Sequence, residues 1–373
     1  MEIELEASLD RWVEAHLLDP RQADRIRVFE QAHAPQSRSR LPILIGLAFG
    51  GIMLAAGVLL FISAHWDELS PTQRMTLLVL ALAAFHATGA WCSPRFRALS
   101  VTLHTTGTVA LGGGIFLAGQ IFNLQEHWPG GVMLWAMGAA AGWVLLGDWP
   151  QLATAAILIP FWLEGEWFDA VPHGQDAIQI GSVGFLLLAI SYVTAIHPRL
   201  LPSRGAQAGV FNWLGGLALL PAAAVVATLG RARDASTTAG LQTLGWCFAI
   251  LIPLAFAAYY RRASAWMNVV AAMWGVGLSL LAQRQADAAV YAWCGVGAAG
   301  MVAWGVGEFR AERVNLGMAG FAITLLCFFF SNVMDKLGRS ASLIALGTLF
   351  LAGGWFWERL RRRLVSRALE GAQ

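Results

Sequence analysis

Two histidines, His86 and His104, and a group of polar residues at apolar-segment ends, Trp66, Asp67, Gln120 and Asn123, are the side chains of this sequence whose types and spacing could do chemistry. Each histidine lies inside a strongly apolar run, about six residues from a run's end for His86 and about five for His104, which at 1.5 Å per residue places both roughly 8 to 9 Å deep on neighbouring helices. They are within reach of one another. Such a pair can relay a proton or hold a ligand, or it can be two neutral imidazoles hydrogen-bonded inside a bundle. Gln120 and Asn123 are three apart and share one helix face, and on the same side of the membrane stand His65, Trp66, Asp67 and Glu68. These residues form either a site for a solute or lipid headgroup, or a set of interhelical hydrogen bonds with Asp67 as a capping carboxylate. A further acidic group, Glu164, Glu166, Asp169 and His173, has the donor types for a divalent cation, but its spacing matches no metal motif and no metal or other cofactor is expected.

Other patterns fail their context tests. Gly295-Val296-Gly297-Ala298-Ala299-Gly300 matches a dinucleotide-binding glycine pattern but sits inside an apolar run with no strand before it, so it reads as helix packing, as does Gly46-x-x-x-Gly50. The four cysteines, Cys92, Cys247, Cys294 and Cys327, lie in or at the end of apolar runs without paired spacing and read as small buried apolar residues. No nucleotide-binding loop, zinc-protease motif or nucleophile elbow is present. No Asp, Glu, Lys or Arg falls in the middle of an apolar run, which argues against coupling to protons through a midplane carboxylate.

The elements that must position these residues are membrane helices. Of 373 residues 57% are hydrophobic and only 13% charged, against roughly 25% charged in soluble domains. From Leu41 onward, apolar runs of about 17 to 24 residues, each long enough to cross ~30 Å of hydrocarbon, alternate with short turns. Spans are expected near 41–64, 72–92, 99–122, 131–147, 150–168, 177–196, 209–229, 239–259, 264–283, 287–306, 314–333 and 340–357, an all-α polytopic protein of about twelve membrane helices. Ser70-Pro71 opens the second span as N-cap and first-turn proline.

Orientation follows from charge. Six of the 25 basic residues, Arg74, Arg231, Arg233, Arg284, Lys336 and Arg339, fall on one side and the remaining nineteen on the side of the N-terminus, which puts both termini in the cytoplasm. The opposite side collects Asp67, Glu68, Glu126, Glu164, Glu166, Asp169, Asp176, Asp234, Asp287 and Asp335. Domain boundaries are expected at 1–40 for a cytoplasmic helical pair and linker, 41–357 for the bundle and 358–373 for a basic tail. In the first segment Leu5, Leu9, Trp12, Val13 and Leu17 make one apolar stripe, and Asp19-Pro20 starts a second helix running to about Gln31. The spread of positive charge over loops excludes a nucleic-acid patch.

The Leu-x-x-Trp-Val pattern at Leu9, Trp12 and Val13, the Trp66-Asp67 pair before Ser70-Pro71, and the Gly119-Gln120-Ile121-Phe122-Asn123 run together resemble the bacterial predicted membrane proteins grouped as domain of unknown function 2157. The resemblance covers about the first 150 residues and implies a multi-pass protein of the bacterial inner membrane, with no activity attached. His65 stands where that family usually has a small polar residue. Three functions fit the residues: binding or transport of a small neutral or amphiphilic solute, with lipid and bilayer as partners; an enzyme acting on a lipid-linked substrate at the outer face; or a non-catalytic envelope protein that docks a partner through residues 1–34.

Overall fold

The computed structural model describes residues 9, 12–13, 15, 17–33, 41–65, 69–122, 127–171, 175–195, 205–229, 238–284 and 287–332, with a few single positions up to Arg359. Among them there are helices and turns and no strand. A polar helix α1 (Pro20–His33) is followed by eleven apolar ones: α2 (Leu41–Ala64), α3 (Pro71–Cys92), α4 (Arg97–Ile121), α5 (Trp128–Leu146), α6 (Trp149–Ala170), α7 (Gln175–Val193), α8 (Gly205–Leu229), α9 (Ala239–Arg261), α10 (Trp266–Gln283), α11 (Asp287–Gly307) and α12 (Ala311–Asn332). They coincide with the first eleven expected spans to within four residues at each end. The twelfth expected span, 340–357, lies almost entirely outside the described residues.

Among the described residues seven stretches are long and apolar enough to cross a membrane: α3, α4, α5, Gln207–Thr228 within α8, Ala239–Gln283, α11 and α12. The fifth of these is 45 residues long and holds two helices, α9 and α10, divided by the 3-10 turn Arg262–Ala265. The prolines Pro160, Pro221 and Pro253 sit inside α6, α8 and α9 without ending them, since neighbouring helices can supply the freed carbonyls with partners.

Local chemistry explains the helix ends. Ser70 caps α3 as a capping box: Gln73 N–H donates to Ser70 Oγ (3.3 Å), Ser70 N–H donates to Gln73 Oε1 (2.8 Å), and Pro71 opens the first turn. Asp19 accepts from Arg21 N–H at the start of α1 (3.1 Å), as the Asp19-Pro20 pair implies. Between α5 and α6 the chain reverses through Gly147 in the left-handed region (φ 69°), a conformation open to glycine at little cost. Leu9 is buried, while Trp12 and Leu17 of the same expected stripe are exposed.

The helices pack as two groups. In the first, α3 lies against α4, α4 against α2 and α5, and α5 against α6; in the second, α7 lies against α8, α9 and α10, and α11 against α12. The seam runs along α6, which meets α7 and α8. An aromatic cluster fastens one end of that seam: Tyr192 of α7, Phe211 of α8, and Phe256 and Tyr260 of α9 stack within 4.7 to 5.5 Å, and the Tyr192 hydroxyl donates to the Ala156 carbonyl of α6. The hairpin of α11 and α12 closes backbone to backbone, and a Cβ at Gly317 would stand 2.7 Å from the Ala298 carbonyl.

The glycine expectations divide. Gly297 takes the Trp274 ring, as a packing motif should, but the positions of Gly46 and Gly50 meet no atom within 4 Å. It is the adjacent Gly51 that meets α4, at Thr102 and Thr106, so the contact face of α2 is turned by one residue from the expected pair. The four cysteines are free, and Cys247 and Cys327 are exposed rather than buried.

Candidate functional site

Helices α3 and α4 each present a glycine to the other's histidine. A Cβ at Gly107 would lie 2.8 Å from His86 Nε2, and one at Gly89 would lie 3.0 Å from His104 Cε1. Because neither exists, the two rings reach each other, centroids 5.3 Å apart and Nδ1 to Nδ1 3.0 Å, so that one imidazole donates its Nδ1–H to the other. One turn along α4, the Thr108 hydroxyl lies 3.1 Å from the His104 carbonyl and 2.8 Å from Gln151 Oε1 of α6, while Trp135 Nε1–H of α5 donates to the Thr108 carbonyl. Gln151 is fully buried and its Nε2 has no partner. Turning the amide over would satisfy Nε2 on Thr108 and leave Oε1 unpaired instead, so one amide atom is short either way. Four helices thus meet on a polar core of the two imidazoles, the Thr108 hydroxyl, the Gln151 amide and the Trp135 indole.

Of the other expected site residues, Gln120 lies exposed near the end of α4, and Trp66, Asp67 and Asn123 lie outside the described residues. Close to that end of α4, a cavity of about 390 Å³ opens between α3, α4 and α5, lined by Leu78, Leu82, Ile115, Phe116, His127 and Trp128. His127 anchors its rim by facing Glu166 with Nε2 (3.0 Å) and Asp169 with Nδ1 (3.2 Å), and Trp162 Nε1–H also donates to Glu166. Glu164 takes no part in this group, and His173 lies outside the described residues. Among those residues no three His, Cys, Asp or Glu side chains come together in a way that could hold a metal ion.

The second group of helices holds an ionic site that the sequence shows only as topology charges. Glu308, just past α11, accepts from Arg261 Nη2 at 2.5 Å, from Arg313 and from Trp304 Nε1–H (2.8 Å). The two arginine side chains are 0% and 2% exposed. Both also donate to the end of α7, Arg261 to the Thr194 carbonyl (2.8 Å) and Arg313 to that of Val193 (3.3 Å), and Asn268 of α10 donates to Thr194 Oγ1. Burial pushes the Glu308 carboxyl up, but the hydrogen bond and charge of Arg261, the charge of Arg313 and the indole bond from Trp304 together bring it down to about 2. The turns carrying this cluster hold the two non-glycine residues at positive φ among those described, Arg262 (50°) and Phe309 (55°). The network fixes that strained backbone.

Beside Trp304 lies a cavity of about 850 Å³ between α8, α10, α11 and α12, walled also by Trp266, Trp274, Leu220, Met301 and Phe330. Several of its polar wall groups are already used. Trp274 Nε1–H donates to the Trp293 carbonyl and Trp293 Nε1–H to the Trp274 carbonyl, both at 2.9 Å, which locks α10 to α11. Thr228 and Thr324 donate to carbonyls of their own helices, and Tyr291 donates to Ser331 Oγ. A ligand here is offered mostly apolar surface. Neither the cavity nor the cluster has a short sequence motif, because each is assembled from helices far apart in the chain.

No curated protein and no solved structure matches this chain. Residues 10–152, which run through the helices that hold the histidine pair and end at the start of α6, match the model of the family described as Predicted membrane protein (DUF2157). The segment that carries the Trp66-Asp67 and Gly119 to Asn123 motifs and the His86–His104 pair is therefore similar to this family of predicted membrane proteins.

Proposed function

We propose that the protein binds, and passes through the bilayer, an amphiphilic lipid-like molecule whose apolar part occupies the cavity between α8, α10, α11 and α12. The observation that carries this reading is the cavity itself: about 850 Å³, walled mainly by tryptophans and aliphatic side chains, with the Trp274 indole N–H spent on the Trp293 carbonyl. It follows α11 from Val290 to Trp304, about 21 Å at 1.5 Å per residue, or two-thirds of a hydrocarbon core of ~30 Å. Exposed Val270, Val296, Ile323 and Phe330 form part of its wall, which suits entry sideways from lipid. The wider setting of this proposal is a bacterial inner-membrane protein of about twelve spans with both termini in the cytoplasm, and the Arg261–Glu308–Arg313 cluster lies toward that side.

The test is photo-crosslinking of the full-length protein in vesicles that carry a diazirine-bearing diacyl phospholipid. Adducts are expected to concentrate on cavity residues of α10, α11 and α12. Gly300→Phe should deplete them, since Gly300 lines the cavity and a Cβ there meets nothing within 4 Å. Adducts spread evenly over the outer surfaces of all helices, unchanged by the substitution, would refute the reading.

A further inference from the structure

Helix α6 carries three carboxylates in its last two turns, and the helical period separates them. At 100° per residue Glu166 and Asp169 lie within about 60° of each other, and both close on His127, whereas Glu164 is about 200° from Glu166 and faces the other way. There it meets α7 at Gly181, where a Cβ would fall inside the contact distance of the Glu164 carboxylate oxygens. The carboxyl group therefore occupies a notch that glycine alone leaves open. Among the described residues no hydrogen bond or ion pair reaches it. Trp167, one turn nearer the end of α6, donates its indole N–H to the Ala177 carbonyl, one turn nearer the start of α7. The indole stands between the notch and the helix ends, with Gly181, Ser182 and Val183 of α7 all buried.

Among the described side chains no other ionisable group meets this position. α7 brings Asp176, whose side chain lies outside the described residues, and Tyr192, whose hydroxyl is bonded to Ala156, two turns away along α6; α9 brings Cys247, which is exposed, and Tyr259, Tyr260 and Arg261 at its far end. α8 brings no titratable side chain, and α4 brings Arg97 and His104 from its opposite end. His127, at the start of α5, is held by Glu166 and Asp169. An unpaired carboxylate removed from water is costly in its ionised form and not as the neutral acid. The seat also lies where α6 of the first group of helices meets α7 of the second. We propose that Glu164 is a proton-binding site on the seam between the two helix groups, seated in the Gly181 notch as the neutral acid and withdrawn from it when ionised. Proton occupancy is then coupled to how α6 sits on α7, independently of what the apolar cavity binds.

A hydrophobic carbodiimide tests this on the purified full-length protein. The acid proton passes to a carbodiimide nitrogen, the carboxylate oxygen adds to the central carbon, and an oxygen-to-nitrogen acyl shift leaves a stable N-acylurea with nothing expelled. Treatment with dicyclohexylcarbodiimide followed by peptide mass spectrometry should place an adduct on Glu164 and none on Glu166 or Asp169. Its rate should fall about tenfold per pH unit above the midpoint of the site, as the protonated fraction does. Glu164→Gln should remove the adduct with normal yield, and Gly181→Ala should remove it with Glu164 still present. Absence of the adduct from the wild-type protein, equal labelling of Glu166 and Asp169, or a rate that follows only the pH dependence of the reagent would overturn the proposal. Should Gly181→Ala fail to fold, the wild-type pH series decides alone.

Discussion

Replacing Glu308 with alanine removes the shared partner of two arginines whose side chains are 0% and 2% exposed. Breaking one buried ion pair costs about 3 to 5 kcal/mol, because an uncompensated charge stays behind, and here two like charges are left close together, each near the Trp304 ring. Arg261 Cζ lies 4.9 Å from the ring centroid and Arg313 Cζ 5.7 Å. The expected loss for Glu308→Ala is therefore at the upper end of that range. Removing all three charges is a different perturbation. Arg261→Met, Glu308→Leu and Arg313→Met together avoid the desolvation of three ions, and replacement of buried ionic groups by apolar ones of similar volume is often neutral or stabilising. The triple variant also loses the bonds to the Val193 and Thr194 carbonyls, so it should fall within about 2 kcal/mol of wild type. Tryptophan fluorescence during denaturation in detergent reads both variants. A single substitution costing under about 1 kcal/mol would show that the cluster is solvated and clamps nothing. A triple variant worse than the single would show that the carbonyl bonds, rather than charge balance, hold the end of α7.

The same cluster sets an acid limit. With its carboxyl depressed to about 2, Glu308 contributes stability that is fully present above the ordinary carboxylate range and lost as pH falls toward 2, so Glu308→Gln should flatten the acid limb of a stability profile between about 4.5 and 2. Gly297→Ala places a methyl against the Trp274 ring, whose indole is pinned to α11, and should cost about 1 to 3 kcal/mol; a neutral result would mean that the cavity wall yields. In α3 and α4, Gly107→Ala and His86→Ala should show a coupling of roughly 1 kcal/mol or more in a double-mutant cycle, because the added methyl meets His86 Nε2. Gln151→Leu removes an amide with one orphaned atom and should leave stability within about 1 kcal/mol, whereas Gln151→Ala opens a cavity and should cost about 2 to 4. A loss of similar size for Gln151→Leu would show that the orphaned atom has a partner in the membrane.

What the sequence made legible was local or periodic. Ser70, Pro71 and Gln73 interact within one turn, so the cap of α3 follows from their order. The His86–His104 contact follows from two depths measured from one short turn. Hydrophobic run lengths locate the helices for the same reason, since the bilayer fixes each run independently of its neighbours. Arg261 and Arg313 show where this stops. Arg261 and Arg262 are adjacent and look equivalent, yet one is buried on Glu308 and the other exposed, and only the packing of α7, α10 and α11 distinguishes them. A charge count reads both as marks of one membrane face and misses that one of them is interior.

Glu164 shows the opposite case, a feature that was available and was averaged away. Counted by charge, it joins Glu166 and Asp169 in one acidic surface; placed on a helical wheel, it points away from them. The partner that gives the position meaning is Gly181, and a missing side chain carries no signal of what it accommodates until α6 and α7 are docked. The larger cavity is invisible for a related reason, because its wall is mostly apolar and a polar group such as the Trp274 indole N–H is satisfied within the bundle. In this protein the polar groups mostly bind the bundle to itself, and the places left for a foreign molecule or a proton are those where a polar partner or a side chain is absent. Function must then be sought at notches and apolar voids, and the measurements that can find it are those that report occupancy of such spaces, a photoreactive lipid for the cavity and a hydrophobic carbodiimide for Glu164.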